Sequence, residues 1–86
     1  MKDWFIYIIR CGDGTLYTGI TNDITRRFDE HRAGKGAKYL KGRGPLKLVY
    51  KTVAGSRSDA LKLEAKIKKM KKNDKELMIL ESKQSV

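Results

Sequence analysis

The feature that most constrains the fold is a short apolar run near the start of the chain. Residues 4–11 read WFIYIIRC, and the first part of this segment is apolar at both alternating positions. A β-strand with this pattern is apolar on both faces, so other elements must cover it on both sides. We therefore predict that residues 4–11 form the central strand of a small sheet.

The next segment has the pattern of a hairpin followed by a helix. Gly12-Asp13-Gly14 predicts a tight turn, after which residues 16–20 run back as the second strand. A helix is predicted over residues 24–33, because residues 21–23 carry side-chain oxygens that can cap it and Gly34 can end it. Residues 34–44 are rich in glycine and basic residues, which predicts a loop with one helical turn near residues 37–40. This loop is either a solvated linker or a flexible flap that contacts phosphate.

The second half of the chain supplies one more strand and two helices. Residues 46–53 alternate well enough to form a third strand. Ser56 and Asp59 have the spacing of a capping box, and so do Asn73 and Glu76, which predicts a helix after each, the last one short. The first of these helices has an apolar stripe at Ala60, Leu63, Ile67 and Met70.

The order β-β-α-β-α-α predicts an α+β fold. We expect a small three-stranded antiparallel sheet, with the first strand central, flanked by about three helices. A chain of 86 residues has room for one modest core, since it buries roughly 60–65% of its unfolded surface. We expect one domain over residues 1–82 and a frayed tail at residues 83–86.

Charge and cysteine content limit the classes of function. Twenty Lys and Arg residues against ten Asp and Glu residues give a net charge of +10, which indicates a preference for polyanions, with a ribosome-associated protein or a merely basic surface as the alternative. Cys11 is the only cysteine, which excludes an internal disulfide and a cysteine-rich zinc site. We expect it to be a small core residue. The run at residues 4–9 is too short to cross a membrane, and no signal-peptide pattern is present, so we expect a cytoplasmic protein.

The clearest candidate for a functional site lies in residues 17–31, YTGITNDITRRFDEH. Gly19 lacks a side chain, which allows another group to approach the second strand closely. Arg27 and His31 are four residues apart on the predicted helix and therefore project from the same side. A phenol at the strand, a bare glycine and an Arg/His pair can meet in one concave place, which is the geometry of a phosphate site.

Two tyrosine-containing segments resemble the motifs of the GIY-YIG nuclease superfamily. Ile6-Tyr7 is similar to the end of the first motif, with Phe5 at a position where that motif often has glycine. Residues 17–19, Tyr-Thr-Gly, are similar to the second motif, with threonine in place of isoleucine. The resemblance covers residues 4 to about 80, and it is closest to the small stand-alone bacterial branch of the superfamily.

Three polar residues downstream extend the resemblance. Arg27 and His31 fall where the superfamily has an arginine followed four residues later by His or Tyr, and Glu64 falls at the place of its metal-binding glutamate. The resemblance implies a three-stranded antiparallel sheet and cleavage of DNA phosphodiesters assisted by one divalent cation, Mg²⁺ or Mn²⁺, with no small-molecule cofactor. The implied catalytic residues are Tyr7, Tyr17, Arg27, His31 and Glu64, with Glu64 as the metal ligand.

Two positions depart from the superfamily pattern. Some relatives have a lysine directly after the glycine of the second motif, whereas this chain has Ile20, so that cation is missing or comes from elsewhere. Some relatives also have a late asparagine. Asn73 is the nearest candidate, but its predicted role as a helix cap accounts for it, and no catalytic role is assigned.

The implied catalytic residues suit phosphodiester hydrolysis. The guanidinium of Arg27 can hold two phosphoryl oxygens, and one carboxylate at Glu64 suits a hydrated Mg²⁺. An ion pair between Glu64 and Lys68 is the alternative role for this glutamate. Tyr7 and Tyr17 are candidates to activate water, but a phenol of ordinary pKa is only about 0.1% ionised at pH 7. Either nearby cations lower its pKa and His31 relays the proton, or a tyrosine only orients the water and a metal-bound hydroxide attacks.

Basic residues in two regions are candidates for contact with nucleic acid. Lysines distributed around the helix that carries Glu64, together with cations of the glycine-rich loop, can follow a phosphate backbone. The alternative is a merely solvated charged face. The predicted nucleic-acid contacts are Lys35, Lys38, Tyr39, Lys41, Arg43, Lys62, Lys66 and Lys69.

These features predict a divalent-metal-dependent DNA endonuclease. Because no separate DNA-binding domain fits in the chain, we expect little sequence specificity, selection of DNA structure, and a link to DNA repair or processing. The alternative is a basic nucleic-acid-binding module in which catalysis is slow or lost. A third interpretation is a ribosome- or RNA-associated protein.

Overall fold

The computed structural model describes residues 3–84. A three-stranded antiparallel sheet forms the centre of the fold, and three helices and one short 3-10 turn surround it. The strands are β1 (Trp4–Arg10), β2 (Leu16–Thr21) and β3 (Lys47–Gly55), and the helices are α1 (Ile24–Arg32), α2 (Arg57–Lys68) and α3 (Lys72–Gln84), with the 3-10 turn at Lys38–Leu40. The strand order β2-β1-β3 confirms the predicted α+β fold with the first strand central.

Strand β1 is central because both of its faces are buried. Ile6 and Ile8 are fully buried on one face, where they pack with Ile67 of α2 and Ile79 of α3. Residues 7, 9 and 11 belong to a second core on the opposite face, which includes Leu40 of the 3-10 turn. Cys11 is buried in this second core, in agreement with its predicted role. Within residues 3–84, no helix has the length and apolar character needed to cross a bilayer.

A bulge in β3 breaks the simple alternation predicted for this strand. Ile8 pairs with Tyr50 but Ile9 pairs with Leu48, so Val49 is an extra residue on β3. Val49 and Tyr50 both pack in the core around Ile8, whereas Leu48 packs in the opposite core. A bulge of this kind redirects every side chain that follows it. As a result, residues 51 and 53 lie on the face of Leu48 instead of the opposite face.

The helix caps agree with the sequence at α1 and α2. The Asp23 carboxylate accepts a hydrogen bond from the Arg26 backbone N–H at 3.1 Å, which begins α1. The predicted capping box of α2 is present in both directions. The Asp59 N–H donates to Ser56 Oγ at 3.1 Å, and the Ser56 N–H donates to Asp59 Oδ2 at 3.2 Å.

The prediction for the last helix is wrong in its cap and in its length. Helix α3 begins at Lys72, so Asn73 lies inside its first turn and is not its cap, and the carbonyl of Lys71 accepts the Lys75 N–H. Glu76, which was predicted to complete the capping box, instead forms a two-pronged ion pair with Arg10 of β1 at 2.5 and 2.6 Å. The helix is 13 residues long and extends past the boundary predicted at residue 82. Residues 85–86 of the predicted tail lie outside the described residues.

Thr18 of β2 generates a prediction about stability. It is 3% exposed and its Oγ1 has no hydrogen-bond partner among residues 3–84. An unsatisfied buried hydroxyl costs about 1–3 kcal/mol, so Thr18→Val is expected to raise the free energy of unfolding by about 1 kcal/mol. Urea denaturation monitored by circular dichroism measures this change.

Thr21 on the same strand is the matched control. It is also buried, but its Oγ1 accepts the Asp23 N–H at 3.0 Å. Thr21→Val is therefore expected to lower the free energy of unfolding by about 1–3 kcal/mol, because it leaves that N–H without a partner. Equal destabilisation by the two substitutions would contradict the assignment of Thr18 as unsatisfied.

Candidate active site

The candidate active site is organised around the close approach of Tyr7 to Gly19. These two residues are paired across β1 and β2. A Cβ atom at position 19 would lie closer to the Tyr7 hydroxyl oxygen than van der Waals contact allows, and it would lie 3.1 Å from Cε2. Because that space is occupied by the ring, only glycine fits there, and the Tyr7 ring lies over β2. This explains in steric terms why a bare glycine stands in the second motif.

His31 of α1 is buried against the Tyr7 hydroxyl. Its Nε2 lies 2.8 Å from Tyr7 Oη, and its Nδ1 accepts the backbone N–H of Ala37 at 3.0 Å. Gly36 packs directly on the ring, where a Cβ atom would lie 2.8 Å from Cε1. The glycine-rich loop therefore closes over His31. The sequence carries no signal for the contact at Gly36, because glycine in a basic loop is ordinary.

These two hydrogen bonds determine the protonation of His31. A backbone N–H can only donate, so Nδ1 must present its lone pair to Ala37. Neutral imidazole then carries its proton on Nε2, which donates to Tyr7 Oη. The predicted relay of a proton from Tyr7 to His31 is not possible in this arrangement, because Nε2 has no free lone pair.

The ionisation of Tyr7 also differs from the expectation that neighbouring cations lower its pKa. Burial and the neighbouring Tyr17 raise the pKa of Tyr7 to about 12, against the opposing influence of the Arg27 guanidinium, and the charge of Glu64 acts in the raising direction. At pH 7 roughly one molecule in 10⁵ then carries a Tyr7 phenolate. The Tyr7 hydroxyl is therefore a neutral group in this site.

Tyr17 and Tyr39 extend the site as an aromatic cluster. The Tyr17 ring is 6.5 Å from that of Tyr7 and 5.7 Å from that of His31, centroid to centroid. Tyr39 stacks on Tyr17 at 5.8 Å, and the Arg43 guanidinium lies 4.3 Å from the centroid of the Tyr39 ring. Tyr39 thus packs against a predicted catalytic residue and still leaves 44% of its surface exposed.

Arg27 projects toward the same place from α1. Its guanidinium forms an ion pair with Glu30 at 3.2 Å, and its side chain is 37% exposed. Its positive charge acts to lower the pKa of both Tyr7 and His31. Arg27 is therefore partly open to solvent at the mouth of the site, where an anion can reach it.

Glu64 forms the ion pair with Lys68 that is its predicted alternative role, and it also influences the pKa of Tyr7. Its carboxylate forms an ion pair with Lys68 at 3.5 Å, and its side chain is only 20% exposed while that of Lys68 is 54% exposed. The negative charge of Glu64 nevertheless acts to raise the pKa of Tyr7. The glutamate is therefore not turned to bulk solvent, and its ion-pair partner is an exposed lysine.

The predicted nucleic-acid contacts fall into two groups. Arg43 has structural partners: its Nε donates to the Tyr39 carbonyl at 2.7 Å and it pairs with Asp13 of the hairpin turn at 2.8 Å. The six predicted lysines are exposed on the loop and on α2 or its end: Lys35, Lys38, Lys41, Lys62, Lys66 and Lys69. The loop is also anchored by the Gly12 N–H, which donates to the Arg43 carbonyl at 2.7 Å, and this favours a structured surface over a flexible flap.

Comparison with known proteins identifies the family. Residues 3–77 match the family model of the GIY-YIG catalytic domain. The chain belongs to the GIY-YIG family. Members of this family are endonucleases that generally use a divalent metal, and membership therefore supports nuclease activity for this protein.

The chain is also similar to other bacterial proteins and to solved structures. A UPF0213 protein from Cronobacter sakazakii is 54% identical over 79 residues, covering 92% of this chain and 83% of that protein. A solution NMR structure of a UPF0213 protein from Bacillus halodurans is 40% identical with a TM-score of 0.58, covering 90% of this chain and 82% of that chain. Another, of a protein from E. faecalis, is 34% identical with a TM-score of 0.69, covering 100% and 92%.

The donor set of this GIY-YIG domain fits a hard, well-hydrated cation. Within residues 3–84 no group of three or more His, Cys, Asp or Glu side chains is placed to hold a metal ion. A tightly caged ion therefore does not fit, whereas Mg²⁺, which keeps several waters and takes substrate phosphate oxygens, needs only one or two protein carboxylates. Glu64 is the half-buried carboxylate whose charge acts on Tyr7, so it is the residue that would hold such an ion.

The protonation of His31 generates a pH-dependent prediction. Burial, and secondarily the charge of Arg27, lower the pKa of His31 below its ordinary 6.5, while Glu30 acts in the opposite direction. Between the folded and unfolded pKa values the unfolded chain binds more protons, so this contribution to stability is fully present above pH 6.5 and is lost as the pH falls through the lowered value. We expect the free energy of unfolding to fall over that window in the wild type and to change less in His31→Gln.

Because His31 is the single histidine, its ring nitrogens can be assigned directly by ¹⁵N NMR. At pH 7.5 we expect a protonated Nε2 and an unprotonated Nδ1. A spectrum showing the proton on Nδ1 would contradict the assigned direction of the Tyr7–His31 hydrogen bond.

Proposed function

We propose that this GIY-YIG protein is a divalent-metal-dependent endonuclease that hydrolyses DNA phosphodiesters with little sequence preference. The observation that carries the proposal is the convergence of Tyr7, Tyr17, His31 and Arg27, with the charge of Glu64 acting on the same phenol. These groups come from β1, β2, α1 and α2, which lie in different parts of the sequence. Phenol, imidazole, guanidinium and carboxylate together suit phosphoryl chemistry.

Each side chain has a role that follows from its contacts. His31 donates to Tyr7 Oη, which leaves the Tyr7 hydroxyl proton free to donate to a phosphoryl oxygen or to the attacking water. Arg27 lies at the mouth of the site and is the group that binds the non-bridging phosphoryl oxygens and stabilises their developing charge. Tyr17 is the second phenol, positioned to orient the water. This mechanism uses neutral tyrosines as donors, in keeping with the raised pKa of Tyr7, about 12.

Glu64 would hold the divalent cation, which when bound supplies charge neutralisation and a more acidic water. Substrate phosphate competes for the Lys68 ammonium, which would free the carboxylate of Glu64. We propose that the exposed lysines of the loop and α2 hold the DNA backbone without reading bases, so DNA structure determines where cleavage occurs. This fits a role in DNA repair or processing.

A cleavage panel tests the proposal. Supercoiled plasmid and flap substrates are incubated with Mg²⁺ or Mn²⁺, and nicking is followed for the wild type, Glu64→Ala and Arg27→Ala. We expect each substitution to lower the rate by about 100-fold or more, because each removes a group that acts on charge in the transition state. EDTA is expected to abolish the wild-type activity.

Two neighbouring residues provide matched controls. Lys68→Ala breaks the same ion pair as Glu64→Ala but leaves the carboxylate, so its cleavage rate should stay within a few-fold of wild type. Arg26→Ala is the control for Arg27→Ala, because it removes an adjacent exposed guanidinium of α1. Equal loss in Glu64→Ala and Lys68→Ala would mean that the ion pair acts structurally, and unchanged cleavage in both Glu64→Ala and Arg27→Ala would refute the site.

The Glu64–Lys68 ion pair also favours a second candidate function. A carboxylate already paired with a lysine is a weaker cation ligand, which suits a DNA-binding module with slow or lost catalysis. This candidate predicts tight, salt-dependent binding and no metal-dependent product across the same substrates.

A further inference from the structure

A groove adjoins the candidate active site on the same face of the sheet. It has a volume of about 470 Å³ and is lined by Phe5 and residues 51–53 of the sheet and by residues 22–25 at the start of α1. Ile24 lines the groove, and Arg27 lies three residues further along α1, so the two project from the same side of the helix. Arg27 therefore lies on the side of α1 that lines the groove.

Lys51 reaches this face because of the bulge at Val49. Tyr7 pairs with Gly19 on one side and with Lys51 on the other. The Tyr7 ring lies over Gly19, so it leans away from Lys51. The Lys51 side chain is exposed and forms no ion pair with any residue between 3 and 84. A free ammonium thus stands one strand away from Tyr7.

The floor of the groove is apolar. Phe5 and Val53 are paired across β1 and β3, and Val53 is 56% exposed. The carboxylate at the groove edge, Asp23, is engaged by the Arg26 N–H as the cap of α1. A cation beside an exposed apolar surface matches a nucleotide, which has an anionic phosphate joined to a flat base and a sugar.

We propose that this groove binds the nucleotide next to the scissile phosphate, with Lys51 contacting its phosphate and the Phe5–Val53 surface contacting its sugar and base. The inference rests on the proposed nuclease function. Lys51 also supplies a cation on the active-site face, a role that a side chain at position 20 does not fill. Ile20 pairs with Ile6 and packs in the opposite core, so position 20 does not line this groove.

Lys51→Ala and Lys47→Ala form a matched pair for the test. Both residues are exposed on β3, and both substitutions remove one positive charge, but Lys47 precedes the bulge, and alternation with Leu48 places it on the other face. Binding of a fluorescein-labelled single-stranded oligonucleotide is measured in EDTA by anisotropy at several salt concentrations. Lys51→Ala is expected to weaken binding about two- to fivefold and to lower the salt slope by about 0.7 relative to Lys47→Ala.

NMR titration identifies the ligand chemistry. ¹⁵N-labelled protein is titrated in EDTA with thymidine 3′,5′-bisphosphate and, separately, with inorganic phosphate. We expect the bisphosphate to shift the amide signals of Thr25, Lys51 and Val53 at lower concentration than phosphate does, and Lys51→Ala to abolish these shifts. Equal responses to the two ligands would overturn the contact with sugar and base.

The outcomes separate this inference from the proposed function. If Lys51→Ala and Lys47→Ala bind DNA equally and with the same salt slope, the groove assignment fails even where cleavage depends on Glu64. If Lys51→Ala alone weakens binding while no variant or wild-type protein cleaves DNA, the groove stands and the nuclease proposal fails.

Discussion

The hydrogen bond between Tyr7 and His31 is the interaction on which the rest of the site depends. It is buried, it joins residues 24 apart in the sequence, and through Nδ1 it continues to Ala37 and the 3-10 turn. One imidazole therefore ties β1, α1 and the basic loop together. Because a buried polar group without a partner is costly, each of these bonds stabilises the geometry of the others.

The direction of this hydrogen bond gives the site its chemical character. The amide of Ala37 forces the imidazole proton onto Nε2, so His31 is a donor to Tyr7 and not a base. Burial keeps both rings neutral, since it lowers the pKa of His31 and raises that of Tyr7 to about 12. Positive charge is supplied instead by Arg27 at the mouth of the site. The pocket separates neutral hydrogen-bond donors inside from charged groups outside, which suits binding and polarising a phosphodiester.

One face of the sheet forms the larger core, and the other face carries the candidate site. The Ile6 and Ile8 face is closed by α2 and α3 and forms the larger core. The opposite face carries Tyr7 and, beyond it, the groove with Lys51. The bulge at Val49 affects both faces. It places Val49 and Tyr50 in the same core, and it directs Lys51 to the opposite face.

The sequence by itself determined the sheet, its central strand and the family, and it supplied the candidate residues of the site. Two-sided apolarity at residues 4–9 and the capping box at Ser56 are local patterns, and local patterns persist in the fold. The prediction from local patterns failed at the end of the chain, because Glu76 forms a tertiary ion pair with Arg10 and does not take part in a helix cap. Only the tertiary structure decided the proton position on His31, the closing of Gly36 over its ring and the side of the sheet to which Lys51 projects. Each depends on a contact between distant segments or on a one-residue shift in strand pairing, and neither has a signature in residue spacing.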